Sequence, residues 1–271
     1  MSADRSGLVF NLPEHEYHAG PELSSTAAKR ILRSPAHYLW EQQHRVEKAT
    51  YDFGHTVHAL VLGTGLEVVR IRAEDWRTKG AQEQRKEAYA AGKVPLLAKD
   101  YARARDTAKA VQDHPVAGLL FTSGQPEVSM FWTDEATGVE CRGRIDYLRD
   151  GQAIDLKTTS DADPAAFGRT AAKFAYDLQT QWYAEGYHAI TGEHVESLHV
   201  LVETSAPHGV SVVQLDDEAL HIGALKAAQA RETYRQCVET GQWPGYPTNV
   251  HLVGLPAWAV YELDDDNEMV I

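Results

Sequence analysis

Cysteine is nearly missing from this chain: Cys141 and Cys237 are the only two among 271 residues. That excludes a disulfide framework, an all-cysteine zinc site and a cysteine-ligated iron–sulfur cluster built from this chain alone. Long apolar runs are missing too, and none approaches the roughly 20 residues that cross a bilayer. The opening MSADRSGLVF lacks a basic stretch followed by an apolar one, so no secretory leader is expected. Positive charge is in deficit, with 26 Lys+Arg against 39 Asp+Glu and a formal net charge of −13. Such a balance excludes coating nucleic acid through bulk charge, while leaving room for a local basic groove. No internal repeat, no low-complexity segment and no G-x-x-x-x-G-K-[ST] loop occurs, so no nucleotide-driven motor is expected. What remains is ordinary globular composition, 43% hydrophobic and 24% charged. The expectation is a soluble, cytoplasmic protein that does not associate with membranes.

The chain reads as a single α/β domain in four parts. Residues 1–20 are expected to form an irregular arm, 21–115 a helical N-terminal part, 116–240 an α/β core and 241–271 a tail. Ser24 or Ser25 caps a first helix running to Ser34-Pro35, a second follows Pro35, and Tyr51 to Leu62 carries the apolar stripe of a third. Residues 74–112 read as one or two exposed helices broken near Gly92 and Pro95. The period then changes. Glu127–Trp132, Val139–Leu148 and Gln152–Lys157 read as three strands joined by a polar turn and by Asp150-Gly151. One long helix is expected over Ala165–Ile190, strands over Ser197–Glu203 and Gly209–Leu215, and a last helix from Asp216 or Asp217 to Gly241. The class is a central mixed sheet flanked by helices.

The chemistry concentrates in Gly143-Arg-Ile-Asp146 and Ala153-Ile-Asp-Leu-Lys157. Alternate residues of a strand share a face, which groups Arg142, Arg144 and Asp146, and separately Asp155 and Lys157. A short turn sets these strands side by side, so two carboxylates and an ammonium converge. Hard divalent cations bind carboxylate oxygen and fill the remaining positions with water and phosphate. A lysine beside such a metal acts on the attacking water or on developing charge. A cross-strand salt bridge on a solvated face is the bland alternative, and Asp-x-Lys alone does not decide between them.

Four motifs in order resemble the PD-(D/E)XK nucleases, within them the RecE-type (exonuclease VIII-like) phage and prophage exonucleases. They are Phe53-Gly-His-Thr-Val-His58-Ala-Leu, Gly143-Arg-Ile-Asp146, Ile154-Asp-Leu-Lys157 and Leu178-Gln179-Thr-Gln-Trp-Tyr183, preceded by Leu23-Ser-Ser to Tyr38. The resemblance implies a restriction-endonuclease-like core in which Asp146 and Asp155 hold metal and Lys157 is the catalytic lysine. His58 is implied as a further ligand, with His55 the weaker choice. Glu127 is either a ligand, direct or through water, or an edge glutamate. Gln179 and Tyr183, one helical turn apart, are placed at the site, and Tyr187 in packing. Ile154 stands where the family often has proline.

The resemblance further implies a Mg²⁺-dependent 5′→3′ exonuclease that acts on double-stranded DNA ends and leaves 3′ single strands for recombination. Mn²⁺ is a possible substitute. A bacterial or phage-infected cell is the expected setting. A single-strand annealing protein is the implied partner, and a ring-shaped homo-oligomer the implied assembly. Candidate DNA contacts are Arg142, Arg144, Lys29 and Arg30, with Arg33, Lys79, Arg85 and Lys86 weaker. The alternatives are an endonuclease or single-strand nuclease of the same fold, or a non-catalytic end-binding protein. If His58 binds metal, activity is expected to fall below about pH 6.5 as a free imidazole protonates.

Overall fold

The computed structural model describes residues 6–44 and 52–255. Its centre is a seven-stranded mixed sheet. β5 (Gln125–Thr133), β6 (Glu140–Arg149) and β7 (Gln152–Thr159) form its antiparallel heart. β8 (Glu196–Glu203) lies parallel to β7, and β9 (Val210–Val213) closes that side antiparallel. The opposite edge is β1 (Gly7–Val9), paired with β5, while β2 (Leu23–Ser24) runs parallel to the start of β6. Asp150 and Gly151 both take positive φ, 41° and 74°, as a two-residue hairpin turn requires.

Helices cover both faces. On one side α2 (Ser25–Arg33), α3 (Pro35–Gln43), α9 (Tyr176–Thr191) and α10 (Asp217–Thr240) bury Ala28, Ile31, Leu178 and Trp182 against Met130, Trp132 and Ile145. On the other, α4 (Asp52–Leu62), α6 (Ala98–Asp113) and α7 (Ala117–Leu120) bury Val57, Val61 and Val111 against Ile154, Leu156 and Val200. Ile154 and Leu156 thus face the second layer, as strand alternation demands. Ser24 caps α2 by accepting the Ala27 N–H, and Asp216 caps α10 through Ala219.

Several boundaries differ from the expectations. The arm is partly regular, since β1 docks on the sheet edge and α1 (Glu14–Ala19) follows it. Region 74–112 is not purely helical. Between α5 (Lys79–Ala90) and α6 lies β4 (Val94–Leu97), parallel to β3 (Val68–Ile71) in a separate two-stranded sheet. Pro95 is tolerated there because both strands are edges. The expected helix 165–190 is two, α8 (Pro164–Phe174) and α9, divided at Ala175 in the left-handed conformation (φ 50°, ψ 52°). The described tail to residue 255 contains no helix or strand, although Trp243 stacks on Tyr38 at 5.7 Å. Tyr51 and residues 256–271 lie outside the described residues.

Gly143 shows how packing shapes the centre. A Cβ there would lie 3.0 Å from both Met130 Cε and Tyr183 Cδ1. Gly143→Ala is therefore expected to displace the Tyr183 ring, to destabilise by ~1–3 kcal/mol through overpacking and to lower turnover. A thermal melt and a rate measured on the same preparation check both parts.

Candidate active site

The site exists because β6 and β7 separate. Their ladder pairs only Tyr147–Arg149 with Ile154–Gln152, and beyond it the strands splay. Asp146 bridges the gap, its Oδ2 accepting the Leu156 N–H at 2.9 Å. Side chains from both helical layers reach this opening. From α4, His58 brings Nδ1 to 3.6 Å from Asp146 Oδ2. From α9, Gln179 donates Nε2 to Asp155 Oδ1 at 3.0 Å.

Asp155 is 8% exposed and densely bonded. Lys157 Nζ lies 2.8 Å from its Oδ1 and 2.7 Å from its Oδ2. His199 Nδ1 lies 3.2 Å from Oδ2, while His199 Nε2 meets Thr180 Oγ1 at 3.0 Å. Gln179 also accepts the Lys29 ammonium on Oε1 at 2.9 Å and reaches the Tyr183 hydroxyl at 3.4 Å. Lysine, both aspartates, glutamine, tyrosine and His58 are thus drawn together. His199 was missed by sequence reasoning. Its signal was a lone histidine inside the apolar strand Ser197-Leu-His-Val-Leu-Val202, which the parallel register sets directly beside Asp155.

The electrostatics separate the two carboxylates. Burial and the neighbouring Asp155 charge lift Asp146 to about 7. Burial also opposes the Asp155 charge, but Lys157 and the His199 hydrogen bond outweigh it and hold that carboxyl well below the usual range. Burial works against the Lys157 ammonium, yet Asp155 and Asp146 raise its pKa on balance. Lys157 is therefore charged at neutral pH. Lys29 falls to about 8 through burial and repulsion by Lys157.

Glu127 lies where the β5–β6 ladder skips from Pro126–Tyr147 to Val128–Ile145, with φ 50°, a left-handed conformation rare for a non-glycine. Its carboxylate pairs with Arg144 at 3.1 Å. Two proposed DNA contacts need correction. Arg142 is buried and donates to the Tyr17 and Gly20 carbonyls at 2.8 and 2.7 Å. Arg144 is bound to Glu127, Ser129 Oγ and the Leu12 carbonyl. Both anchor the N-terminal segment, because inward-facing guanidinium groups need several acceptors. Arg30, partly exposed, pairs with Glu41 at 2.8 Å. Arg85 lies over the Trp76 and Tyr89 rings.

A divalent cation fits this donor set. Asp146 is a carboxyl kept near neutrality by a second carboxylate, a repulsion that a cation relieves. Burial and Lys157 push His58 down to about 4, so its imidazole is neutral and able to coordinate. Among the described residues no group of three or more His, Cys, Asp or Glu side chains is placed to hold an ion, so the side chains supply only part of a shell. Water and phosphate would complete the shell. The expected acid loss of activity is thereby reassigned. With His58 pushed down by burial and Lys157, the proton expected to compete with metal belongs to the Asp146–Asp155 pair, whose Asp146 carboxyl is raised by burial and by the Asp155 charge. Apparent metal affinity is expected to fall about tenfold per pH unit below about 7 and to level off above it, which calorimetric metal titrations over pH check. His58→Ala is expected to raise the metal concentration needed for half-maximal rate by about 10–100-fold, with His55→Ala near normal. The reverse pattern would move the histidine ligand one turn along α4.

No helix among the described residues is long and apolar enough to cross a membrane. Among curated proteins no relative matches the chain. A crystal structure of a candidate exonuclease from Eubacterium rectale superposes with a TM-score of 0.62 at 15% identity, covering 97% of this chain and 100% of that one. A phage-related exonuclease from Haemophilus somnus 129PT reaches a TM-score of 0.35 at 12% identity over 83% and 99% of the two chains, too distant to carry an argument. The Eubacterium rectale likeness shows the fold alone. A family profile described as a PDDEXK-like domain of unknown function (DUF3799) matches residues 24–254, a span holding every side chain of the site, and nucleases of this class generally use divalent metals. The chain belongs to the PDDEXK-like family DUF3799.

Proposed function

We propose that this protein is a Mg²⁺-dependent deoxyribonuclease, acting 5′→3′ from double-stranded ends and leaving 3′ single strands. One observation carries the hydrolytic part. Asp146 and Asp155 line one pocket where β6 and β7 separate, with Lys157 bonded to Asp155. When bound there, the metal supplies Lewis-acid polarisation of the phosphate and a more acidic water. Asp146 and Asp155 would hold it, with neutral His58 and, after release from Arg144, Glu127 proposed as further ligands.

The remaining work falls to the chain's own groups. Lys157 stays an ammonium, so it acts on charge developing at the phosphate rather than as a base. Gln179 orients Asp155 and fixes Lys29, the basic residue of α2 that reaches the site as a phosphate contact. The acidic body is thereby reconciled with a polyanionic substrate, since positive charge is concentrated where the phosphate sits. Polarity, a single-strand annealing partner and a ring-shaped assembly are proposed on the resemblance to RecE-type exonucleases. Linear duplexes labelled at either the 5′ or the 3′ end, and closed circles, are digested with Mg²⁺ or EDTA. Early release of the 5′ label with circles left intact supports the reading. Early release of the 3′ label reverses the polarity, and cut circles make the enzyme an endonuclease.

A further inference from the structure

Beside the carboxylates, between the end of β7 and the junction of α8 with α9, lies a cleft of about 230 Å³. That is several times the roughly 30 Å³ that a water occupies in the liquid. Its walls include Lys157, the hydroxyl residues Thr158, Ser160 and Thr170, and the rings of Phe174 and Tyr176. Tyr176 stacks with Phe174 at 5.8 Å and 26°, and with Phe167 at 6.2 Å and 22°. Lys157 Nζ and Lys29 Nζ lie 4.8 and 5.4 Å from the Tyr176 ring centroid. Phe167 is buried, but Phe174 is 51% exposed, so the ring set opens to solvent.

The backbone is distorted to make this arrangement. In an unbroken helix, residues two apart do not face each other. Ala175 interrupts the helix in the left-handed region, at φ 50°, and thereby stacks Phe174 on Tyr176. The left-handed Ala175 is the C-cap that ends α8, its N–H returning to the Ala171 and Ala172 carbonyls, and it carries the conformational cost of a non-glycine there. The break leaves an aromatic pair whose Tyr176 ring lies beside Lys157 and whose Phe174 ring is exposed.

We propose that this cleft is a base-binding subsite, holding the nucleobase that adjoins the phosphate bound at Lys157. This rests on the nuclease reading above. A flat, half-exposed ring takes any base by stacking, which suits an enzyme that does not read sequence. The hydroxyls offer donors and acceptors to the sugar and base edges without demanding one pattern. The lysines place the backbone phosphate at the mouth.

The test compares wild type, Phe174→Ala and Phe174→Trp on duplexes with normal ends and on duplexes abasic at the two terminal nucleotides of each strand. Binding is followed by anisotropy in EDTA, and KM and kcat in Mg²⁺. For normal ends, Phe174→Ala is expected to raise Kd and KM about tenfold to a hundredfold with little change in kcat. Phe174→Trp should bind at least as tightly as wild type. For abasic ends, all three should agree. An unchanged Phe174→Ala, or an equal loss on normal and abasic ends, overturns the subsite. Base-dependent binding that needs Phe174, together with no cleavage by wild type, upholds the subsite and overturns the nuclease reading.

Discussion

Asp155→Asn is expected to reduce DNA cleavage by on the order of 10³-fold or more, the equivalent of several kcal/mol of metal-supplied stabilisation. The substitution keeps the shape and one acceptor oxygen, so it can accept from either Gln179 or His199 but not from both, and it removes the charge that binds Lys157. Three consequences follow from one lost charge. Metal binding should weaken, since one of two carboxylates is gone. The Lys157 ammonium loses its nearest counter-ion, so the melting temperature should drop by a few degrees. DNA binding should persist, because removing negative charge near a phosphate does not repel it. Circular dichroism, a melt and a cleavage assay on one preparation check all three. A folded Asp155→Asn protein that digests DNA at the normal rate would remove Asp155 from the site.

Lys157→Ala carries the second large effect, a loss in kcat of on the order of 10²–10³-fold, comparable to removing one preorganised donor of a developing charge. DNA affinity should change only a few-fold, because Lys29 remains in place and is fixed by Gln179. Lys157→Arg should not restore the rate. A planar guanidinium does not occupy the position of a compact ammonium that Asp155 holds at 2.7 Å. Single-turnover rates and binding isotherms separate the two contributions. Equal losses in affinity and rate would make Lys157 a phosphate anchor instead.

Much of this site was legible because its key residues lie on one hairpin. A period of two, an Asp-Gly turn and apolar neighbours suffice to bring Asp146, Asp155 and Lys157 together. The spacing of Gln179 and Tyr183 likewise places both on one helical face, and Ser24 and Asp216 mark helix starts by their capping chemistry. What was not legible depends on long-range pairing. His199 reaches Asp155 only through the parallel register of β7 and β8, which no local pattern encodes. Arg142 binds the Tyr17 and Gly20 carbonyls and Arg144 the Leu12 carbonyl, all over 100 residues earlier, while Arg144 also takes Glu127 and Ser129 from the neighbouring strand. Charge alone could not distinguish an anchor from a phosphate contact. The break at Ala175 has no glycine or proline to announce it, since alanine is the best helix former. The Phe167, Phe174 and Tyr176 rings that meet across the break are likewise set by tertiary contact rather than by local pattern.

The central claim is that the opening between β6 and β7 hydrolyses DNA with a bound divalent cation. The most direct measurement is the release of acid-soluble nucleotides from a uniformly labelled linear duplex. Wild type and Lys157→Ala, purified identically, are compared in Mg²⁺ and in EDTA. Steady release by wild type in Mg²⁺, with none in EDTA and at most a trace from Lys157→Ala, is the expected result. Equal release by wild type and Lys157→Ala, or release that persists in EDTA, would contradict the account.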